Sequence, residues 1–182
     1  MSRIATVDPA AAEGQARTLL GRVERALGST PNMMRAMANS PAVLDAYLQF
    51  SGALAKGRLP ARVQEQIALV AAVENECGYC LAAHTVLGAR AGLSQDDLVA
   101  GRSGQASDPK VEAALTFAKA VIASKGFVTD ADLEKVRAAG YGDGEIGEIV
   151  AAVALNTFTN YFNSVGQTTL DFPAVEGVRL RD

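Results

Sequence analysis

The sequence predicts an all-α protein with a single multihelical domain, and three observations support this class. The chain has 182 residues, which is the size of one ordinary domain with a proper hydrophobic core. Alanine is the commonest residue and alternating β-branched runs are nearly absent, which favours helices over strands. Capping residues recur where apolar periodicity begins, and glycines recur where it ends. Because no linker or internal repeat interrupts this pattern, we expect one domain over residues 1–182.

Nine helices follow from these start and stop signals. Asp8-Pro9 is an N-cap followed by proline at the first helical position, and Gly28 is the stop signal of that helix. Ser40-Pro41 repeats the start signal for a helix that extends to about residue 57. By the same reasoning, the other helices are expected at residues 31–39, 60–74, 80–92, 94–101, 108–126, 129–140 and 143–166.

The last predicted helix, residues 143–166, is apolar around nearly its whole circumference. Such a helix is expected to be buried in a core or at a subunit contact. Asn156, Asn160 and Asn163 follow i, i+4, i+7 spacing and form one polar stripe along it. Buried amides need hydrogen-bond partners. The stripe is therefore either a link between helices, which we favour, or, at Asn156 or Asn160, the lining of a polar pocket.

The helical pattern stops after residue 166. The segment 167–182 is apolar but irregular, and its apolar residues are Leu170, Phe172, Val175, Val178 and Leu180. We expect a short C-terminal arm that packs on its own domain or on a neighbouring subunit.

Charge and hydropathy exclude several classes of function. The formal net charge is -3 and no basic stripe is present, so nucleic acid is not expected as a partner. No apolar run reaches the roughly 18 residues that a membrane span needs. The segment Met1 to Asp8 has no apolar signal core, so secretion is not expected and we predict a cytoplasmic protein.

Both cysteines and the only histidine of the chain lie within eight residues, at Cys77, Cys80 and His84. On the first turn of a helix, a Cys-x-x-Cys spacing brings two sulfurs close enough for a disulfide. The helix start favours a thiolate at Cys77 through the helix dipole. His84 lies one turn after Cys80 on the same face, where an imidazole can take the Cys80 thiol proton.

Three interpretations of this segment compete. The cysteines are inert buried residues, or they hold zinc with His84 and with Glu65 or Glu76 as a fourth ligand, or they form a redox-active dithiol. We favour the dithiol, because the spacings have chemical meaning and because zinc sites are usually closed by four Cys and His ligands. A reducing cytoplasm also suits a dithiol that cycles rather than a structural disulfide.

Glu65 is a second candidate residue. It shares an apolar helix stripe, and a carboxylate on such a stripe usually has a partner because unpaired burial is costly. Arg62, three residues earlier, would be a structural partner. His84 on the next helix would be a catalytic partner, and the sequence leaves the two open.

Around this motif the sequence resembles the alkyl hydroperoxidase D-like (AhpD-like) group of the carboxymuconolactone decarboxylase superfamily. The shared pattern is a glutamate, eleven residues, and then Cys-x-x-Cys-x-x-x-His, which Glu65, Cys77, Cys80 and His84 complete. The resemblance covers residues 60–94. Outside that segment it rests on helix pattern and length.

The resemblance implies an all-helical, homo-oligomeric, thiol-dependent peroxidase. Cys80 would attack the peroxide, Cys77 would then close the disulfide, and His84 and Glu65 would relay protons. The helix dipole alone would instead favour Cys77 as the nucleophile. The decarboxylase branch lacks the paired cysteines, so their presence here argues against lactone decarboxylation.

We expect no bound cofactor and no metal, but an external thiol reductant. Lipoyl-protein and peroxiredoxin partners are what the resemblance implies, and a thioredoxin-like protein is a further candidate. The alternatives are a dithiol sensor without peroxidase activity, a zinc-holding scaffold and a general disulfide oxidoreductase.

Overall fold

The computed structural model describes residues 2–175, and all regular secondary structure in this range is helical. The all-α prediction is therefore confirmed. The helices of the described residues are α1 (Gly14–Leu27), α2 (Asn32–Met37), α3 (Pro41–Leu54), α4 (Ala61–Glu74), α5 (Gly78–Arg90), α6 (Gln95–Arg102), α7 (Pro109–Ser124), α8 (Asp130–Ala138) and α9 (Asp143–Gly166).

Local capping signals explain why most predicted helix ends lie within a few residues of the observed ones. Ser94 and Asp97 form a capping box at the start of α6, and Thr129 and Asp132 form another at the start of α8. Gly28 ends α1 in the left-handed conformation that glycine adopts without strain.

The predicted start of the first helix at Asp8-Pro9 is wrong. The Asp8 carboxylate accepts a hydrogen bond from the Ala10 backbone N–H at 3.0 Å, which closes a local turn instead of opening a helix. Glu13 is in an extended conformation and Gly14 has a φ of 55°, a left-handed value, so a right-handed helix cannot continue through these residues from Asp8. The helix α1 therefore begins only at Gly14.

The central element is α4, which packs against α5, α6, α7 and α9. Its side chains belong to two hydrophobic clusters. Leu69 and Ala72 pack with residues of α1, α2 and α5, whereas Ile67 and Val70 pack with residues of α7, α8 and α9. All four side chains are at most 1% exposed. Burial on opposite sides of one helix holds α4 rigidly between the clusters, and α4 is the helix that carries Glu65.

The described part of the C-terminal arm, residues 167–175, packs on its own domain. The Asp171 carboxylate accepts a hydrogen bond from the Asn32 backbone N–H at 2.7 Å, and the Thr169 carbonyl accepts one from the Asn32 side chain at 3.0 Å. The Phe172 ring meets the Tyr79 ring edge-on, with 5.6 Å between the ring centroids. The remaining predicted arm residues, 176–182, lie outside the described residues.

The helix α9 is buried along one side only. Its polar stripe faces the interior, but four large apolar side chains are exposed in the single chain: Val150, Phe158, Tyr161 and Val165. Burial of α9 around its whole circumference within one core is therefore wrong. A subunit contact over the exposed side stays a prediction. Of the helices in residues 2–175, none has both the length and the hydropathy that a membrane crossing requires.

The loop before α4 is tied to α9 by Glu148. Its carboxylate accepts backbone hydrogen bonds from Arg58 and Leu59, at 2.8 and 2.9 Å. These bonds hold the pKa of Glu148 below its ordinary value. Gly57 permits the approach, because a Cβ atom there would lie 2.5 Å from a carboxylate oxygen. This link fixes the N-terminal end of α4 and so contributes to the placement of Glu65.

We predict that Glu148→Gln lowers the free energy of unfolding by about 1–2 kcal/mol at pH 7, because hydrogen bonds to a charged acceptor are replaced by weaker ones. Since the folded-state pKa of Glu148 is lowered, the carboxylate contributes its full stability above the ordinary value of 4.5 and loses it as the pH falls through the folded pKa. Urea unfolding of both proteins at several pH values measures the difference.

The matched control is Glu134→Gln, because Glu134 is exposed and pairs only with Arg137 at the surface. It is expected to change stability by less than about 0.5 kcal/mol. A Glu148→Gln effect that is as large at pH 3 as at pH 7 would contradict the prediction.

Candidate active site

The two cysteines are joined by a disulfide at the start of α5. Glu76 turns the chain after α4 with a φ of 53°, and Cys77 is the N-cap of α5. The Cys77 sulfur accepts a hydrogen bond from the Cys80 backbone N–H at 3.2 Å. This cap is a cysteine instead of the usual Ser, Thr, Asp or Asn, so the start of the helix has no ordinary sequence signal. The predicted start at residue 80 is therefore two residues late, because α5 begins at Gly78.

Glu65 and His84 form a hydrogen-bonded pair between α4 and α5. The distance from Glu65 Oε2 to His84 Nδ1 is 2.8 Å, and each side chain is about one-fifth exposed. Arg62 instead bonds to Asp97 of α6 at 3.2 Å. The alternative that the sequence left open is thus decided in favour of His84. When Nδ1–H donates to the carboxylate, Nε2 is the nitrogen left to accept or return a proton.

A pocket of about 480 Å³ lies beside this pair. Cys80, His84 and Glu65 all line it, and Cys77 is not among its lining residues. Most of the wall is apolar, with contributions from Val23, Leu27, Met33, Leu48, Leu87 and Leu155. This volume and lining are typical of a site for a small organic molecule.

The asparagine stripe of α9 divides into three roles. Asn156 lines the pocket, and its side chain donates to the Ala152 carbonyl at 2.9 Å. Asn160 is fully buried and accepts a hydrogen bond from Asn75 at 2.8 Å, so it links α9 to the end of α4. Asn163 donates hydrogen bonds to the sulfurs of Cys80 and Met33 and also lines the pocket. The favoured structural role therefore holds for Asn160, and pocket lining holds for Asn156.

Two tyrosines border the pocket, and sequence reasoning missed Tyr47. Burial, helped by the Glu65 carboxylate, raises the pKa of Tyr47 to about 12. Burial likewise raises the pKa of Tyr79, whose hydroxyl accepts a hydrogen bond from the Met33 backbone N–H at 3.2 Å. Both phenols therefore stay protonated at physiological pH. No sequence signal marked Tyr47, because it comes from α3, which carries none of the motif.

The described residues contain no group of three or more His, Cys, Asp or Glu side chains arranged to hold a metal ion. Glu65 and His84 are bonded to each other and the cysteines are bonded to each other. The described part of the chain thus offers no support for the zinc site considered from the sequence.

Comparison with known proteins agrees with the motif. Residues 41–123 match the model of the carboxymuconolactone decarboxylase family, and this segment contains Glu65, Cys77, Cys80 and His84. No curated protein matches the sequence significantly.

Several solved structures share the fold. A peroxidase-related protein of Ralstonia eutropha JMP134 with an alkylhydroperoxidase AhpD core has a TM-score of 0.83 and 24% identity, over 93% of this chain and 92% of that one. A peroxidase-related protein from Silicibacter sp. TM1040 has a TM-score of 0.79 and 22% identity, over 91% of this chain and 88% of that one.

The debrominase Bmp8 in complex with 2,3,4-tribromopyrrole has a TM-score of 0.80 and 21% identity, over 92% of this chain and 91% of that one. At these identities the structures establish a common fold. The chain as described therefore has the fold of the alkylhydroperoxidase AhpD core, and its residues 41–123, with the glutamate, the paired cysteines and the histidine in the expected spacing, match the carboxymuconolactone decarboxylase family.

Proposed function

We propose that the protein is a thiol-dependent peroxidase that reduces organic hydroperoxides with the Cys77–Cys80 dithiol. One observation carries this proposal: Cys80, the partner of Cys77 in the disulfide, lines a largely apolar pocket that the Glu65–His84 pair also lines. A nucleophile, a proton donor and room for a small organic substrate are thus together in one place.

In the first step, the reduced Cys80 gives its thiol proton to His84, and the thiolate attacks the terminal oxygen of the hydroperoxide. An S–O bond forms and the O–O bond breaks, so that Cys80 becomes a sulfenic acid and an alkoxide leaves. The His84 imidazolium, stabilised by Glu65, returns its proton to the alkoxide, which departs as an alcohol. Cys80 is the attacking residue because it lines the pocket, whereas Cys77 does not.

In the second step, the Cys77 thiol attacks the Cys80 sulfenic acid. An S–S bond forms, the S–O bond breaks, and hydroxide takes the Cys77 proton and leaves as water. The product is the disulfide seen in this structure. An external dithiol supplies two electrons and two protons by thiol–disulfide exchange and restores the reduced form. No bound cofactor is needed in this cycle.

The same proposal includes a cytoplasmic location and a homo-oligomer. A compartment rich in thiols keeps the dithiol reducible between turnovers. The exposed apolar side chains of α9 are suited to a contact with a second copy of the chain.

A second candidate is dithiol-dependent reductive debromination of a small aromatic compound. The shared fold with Bmp8 and the apolar pocket beside Cys80 favour it. The Cys80 thiolate would take the bromine, His84 would protonate the ring carbon, and Cys77 would release bromide as the disulfide closes. Debromination would therefore use the same two electrons as peroxide reduction, so substrate assays decide between the two.

We predict that Cys80→Ser lowers the rate of hydroperoxide consumption to that of the reaction without protein, because the nucleophile is lost. Cys77→Ser, reduced beforehand and then freed of dithiothreitol, is expected to consume about one equivalent per chain and then stop, since the Cys80 sulfenic acid has no thiol to resolve it. Cumene hydroperoxide consumption measures the rates, with dithiothreitol for turnover and without it for the single equivalent, and dimedone labelling with mass spectrometry detects the sulfenic acid.

Tribromopyrrole, followed by bromide release, is tested in parallel with the same variants. Turnover of cumene hydroperoxide by Cys80→Ser at the wild-type rate would disprove the peroxidase mechanism. Bromide release without peroxide consumption in the unmodified protein would favour the second candidate instead.

We predict that Glu65→Gln lowers kcat/KM by about 10²-fold, because the imidazolium that protonates the leaving alkoxide loses its counter-charge. If Glu65 acts by positioning and charging His84, the loss in kcat/KM depends on the leaving group. It should be largest for tert-butyl hydroperoxide, whose alkoxide is a poor leaving group, and smallest for a peracid, whose carboxylate leaves without a proton.

Arg62→Gln is the matched control, because Arg62 lies on the same helix but bonds to Asp97. This substitution is expected to change kcat/KM by less than about threefold, and by the same factor for every peroxide. Equal losses on both substrates in Glu65→Gln would show that Glu65 supports structure only.

A further inference from the structure

The side chain of Asn163 makes direct contact with a reacting atom, and the motif does not include it. Its amide Nδ2 donates to Cys80 Sγ at 3.3 Å and to Met33 Sδ at 3.2 Å. Asn163 is 3% exposed and lines the same pocket as Cys80. Its two N–H groups are therefore directed at two sulfurs in a largely apolar site.

The orientation of this amide favours one chemical form of Cys80. An N–H group stabilises an ionised sulfur acceptor more than a neutral one. The carbonyl oxygen of Asn163 is buried and has no hydrogen-bond partner among the described residues, so the amide does not offer that oxygen to a Cys80 S–H group. The Met33 sulfur occupies the other N–H direction and holds the amide in this orientation.

We propose that Asn163 is a further catalytic residue, whose amide N–H stabilises the Cys80 thiolate in the reduced protein. This inference rests on the proposed function for its catalytic meaning. It also gives a reason for Cys80 to be the nucleophile. The helix N-terminus favours the thiolate at Cys77, but a hydrogen-bond donor on the neighbouring helix is directed at Cys80 alone among the two cysteines.

The burial of the site increases the effect of a single donor. Cys80 is only 2% exposed, so hydration compensates poorly for a lost N–H bond to its sulfur. The titratable and charged groups that share the pocket with Cys80 are Arg22, Tyr47, Glu65, Tyr79 and His84. They are the same in every variant compared below, so a difference between variants reports on position 163.

The test uses the full chain in the Cys77→Ser background, reduced, with iodoacetamide as the probe of the single thiol. We expect Asn163→Leu to move the midpoint of the rate–pH profile to higher pH and to lower the alkylation rate at pH 7 about tenfold. Asn163→Asp should move the midpoint further, because a carboxylate repels the thiolate. Asn156→Leu is the matched control, since Asn156 lines the pocket on the same helix but bonds only to a backbone carbonyl.

A profile of Asn163→Leu that coincides with that of Asn156→Leu would overturn the proposal. If the leucine variant does not fold, Asn163→Ser provides the same comparison, because its short side chain does not span the distance to the sulfur. A second readout uses both cysteines: in dithiothreitol redox buffers, Asn163→Leu should shift the equilibrium several-fold toward the disulfide, because both forms lose the donor seen here in the disulfide and the ionised sulfur of the reduced form loses more stabilisation. A shift toward the dithiol would contradict the proposal.

These measurements use no peroxide. If the protein does not turn over hydroperoxide but Asn163→Leu still shifts the alkylation profile, the proposed function is wrong and Asn163 still stabilises the thiolate. If the protein turns over hydroperoxide but the alkylation profile does not shift, the role of Asn163 is wrong and the proposed function is retained.

Discussion

The register between α4 and α5 is the constraint on which the site depends. Glu65 lies nine residues before the end of α4, about 13 Å along the helix, and His84 lies six residues after the start of α5, about 9 Å along it. The chain turns at Glu76, and a hydrogen bond from the Cys77 N–H to the Ala72 carbonyl at 2.8 Å closes the turn. This turn folds α5 back along α4 and brings the His84 side chain beside the Glu65 side chain. The eleven-residue gap between glutamate and cysteine is thus the length of chain that a helical hairpin needs to place a carboxylate on an imidazole.

Burial determines the electrostatic character of the pocket around this hairpin. The two tyrosines stay protonated and serve as neutral hydrogen-bonding groups, and the asparagines add polarity without charge. Within such a site the Glu65–His84 pair is well placed for proton exchange, since Arg22 is the one other charged side chain among the described residues that line the pocket. The packing of α4 between two clusters keeps this arrangement rigid.

The sequence predicted the helices because their signals are local. Ser94, Thr129 and Gly28 act on the residues beside them, and the Asp8-Pro9 error arose because a turn uses the same aspartate signal. The motif residues were found for the same reason. The partner of Glu65 could not be predicted in the same way. Helical spacing shows which residues share a face of α4, but it does not show which neighbouring helix packs against that face.

Residues that approach from distant helices were beyond local reasoning. Asn163 was recognised as part of a stripe, but its contact with a sulfur 83 positions away depends on how α9 crosses α5. Tyr47 had no distinguishing pattern at all.

The arm after α9 has a consequence for handling the protein. Phe172 forms part of the pocket wall and packs on Tyr79, while Asp171 caps the first turn of α2, the helix that carries Met33. Trimming or proteolytic nicking ahead of Thr169 would remove one wall of this pocket as well as a surface segment. An affinity tag is therefore better fused at the N-terminus. Activity lost after C-terminal clipping would reflect the missing pocket wall, because the dithiol itself would be intact.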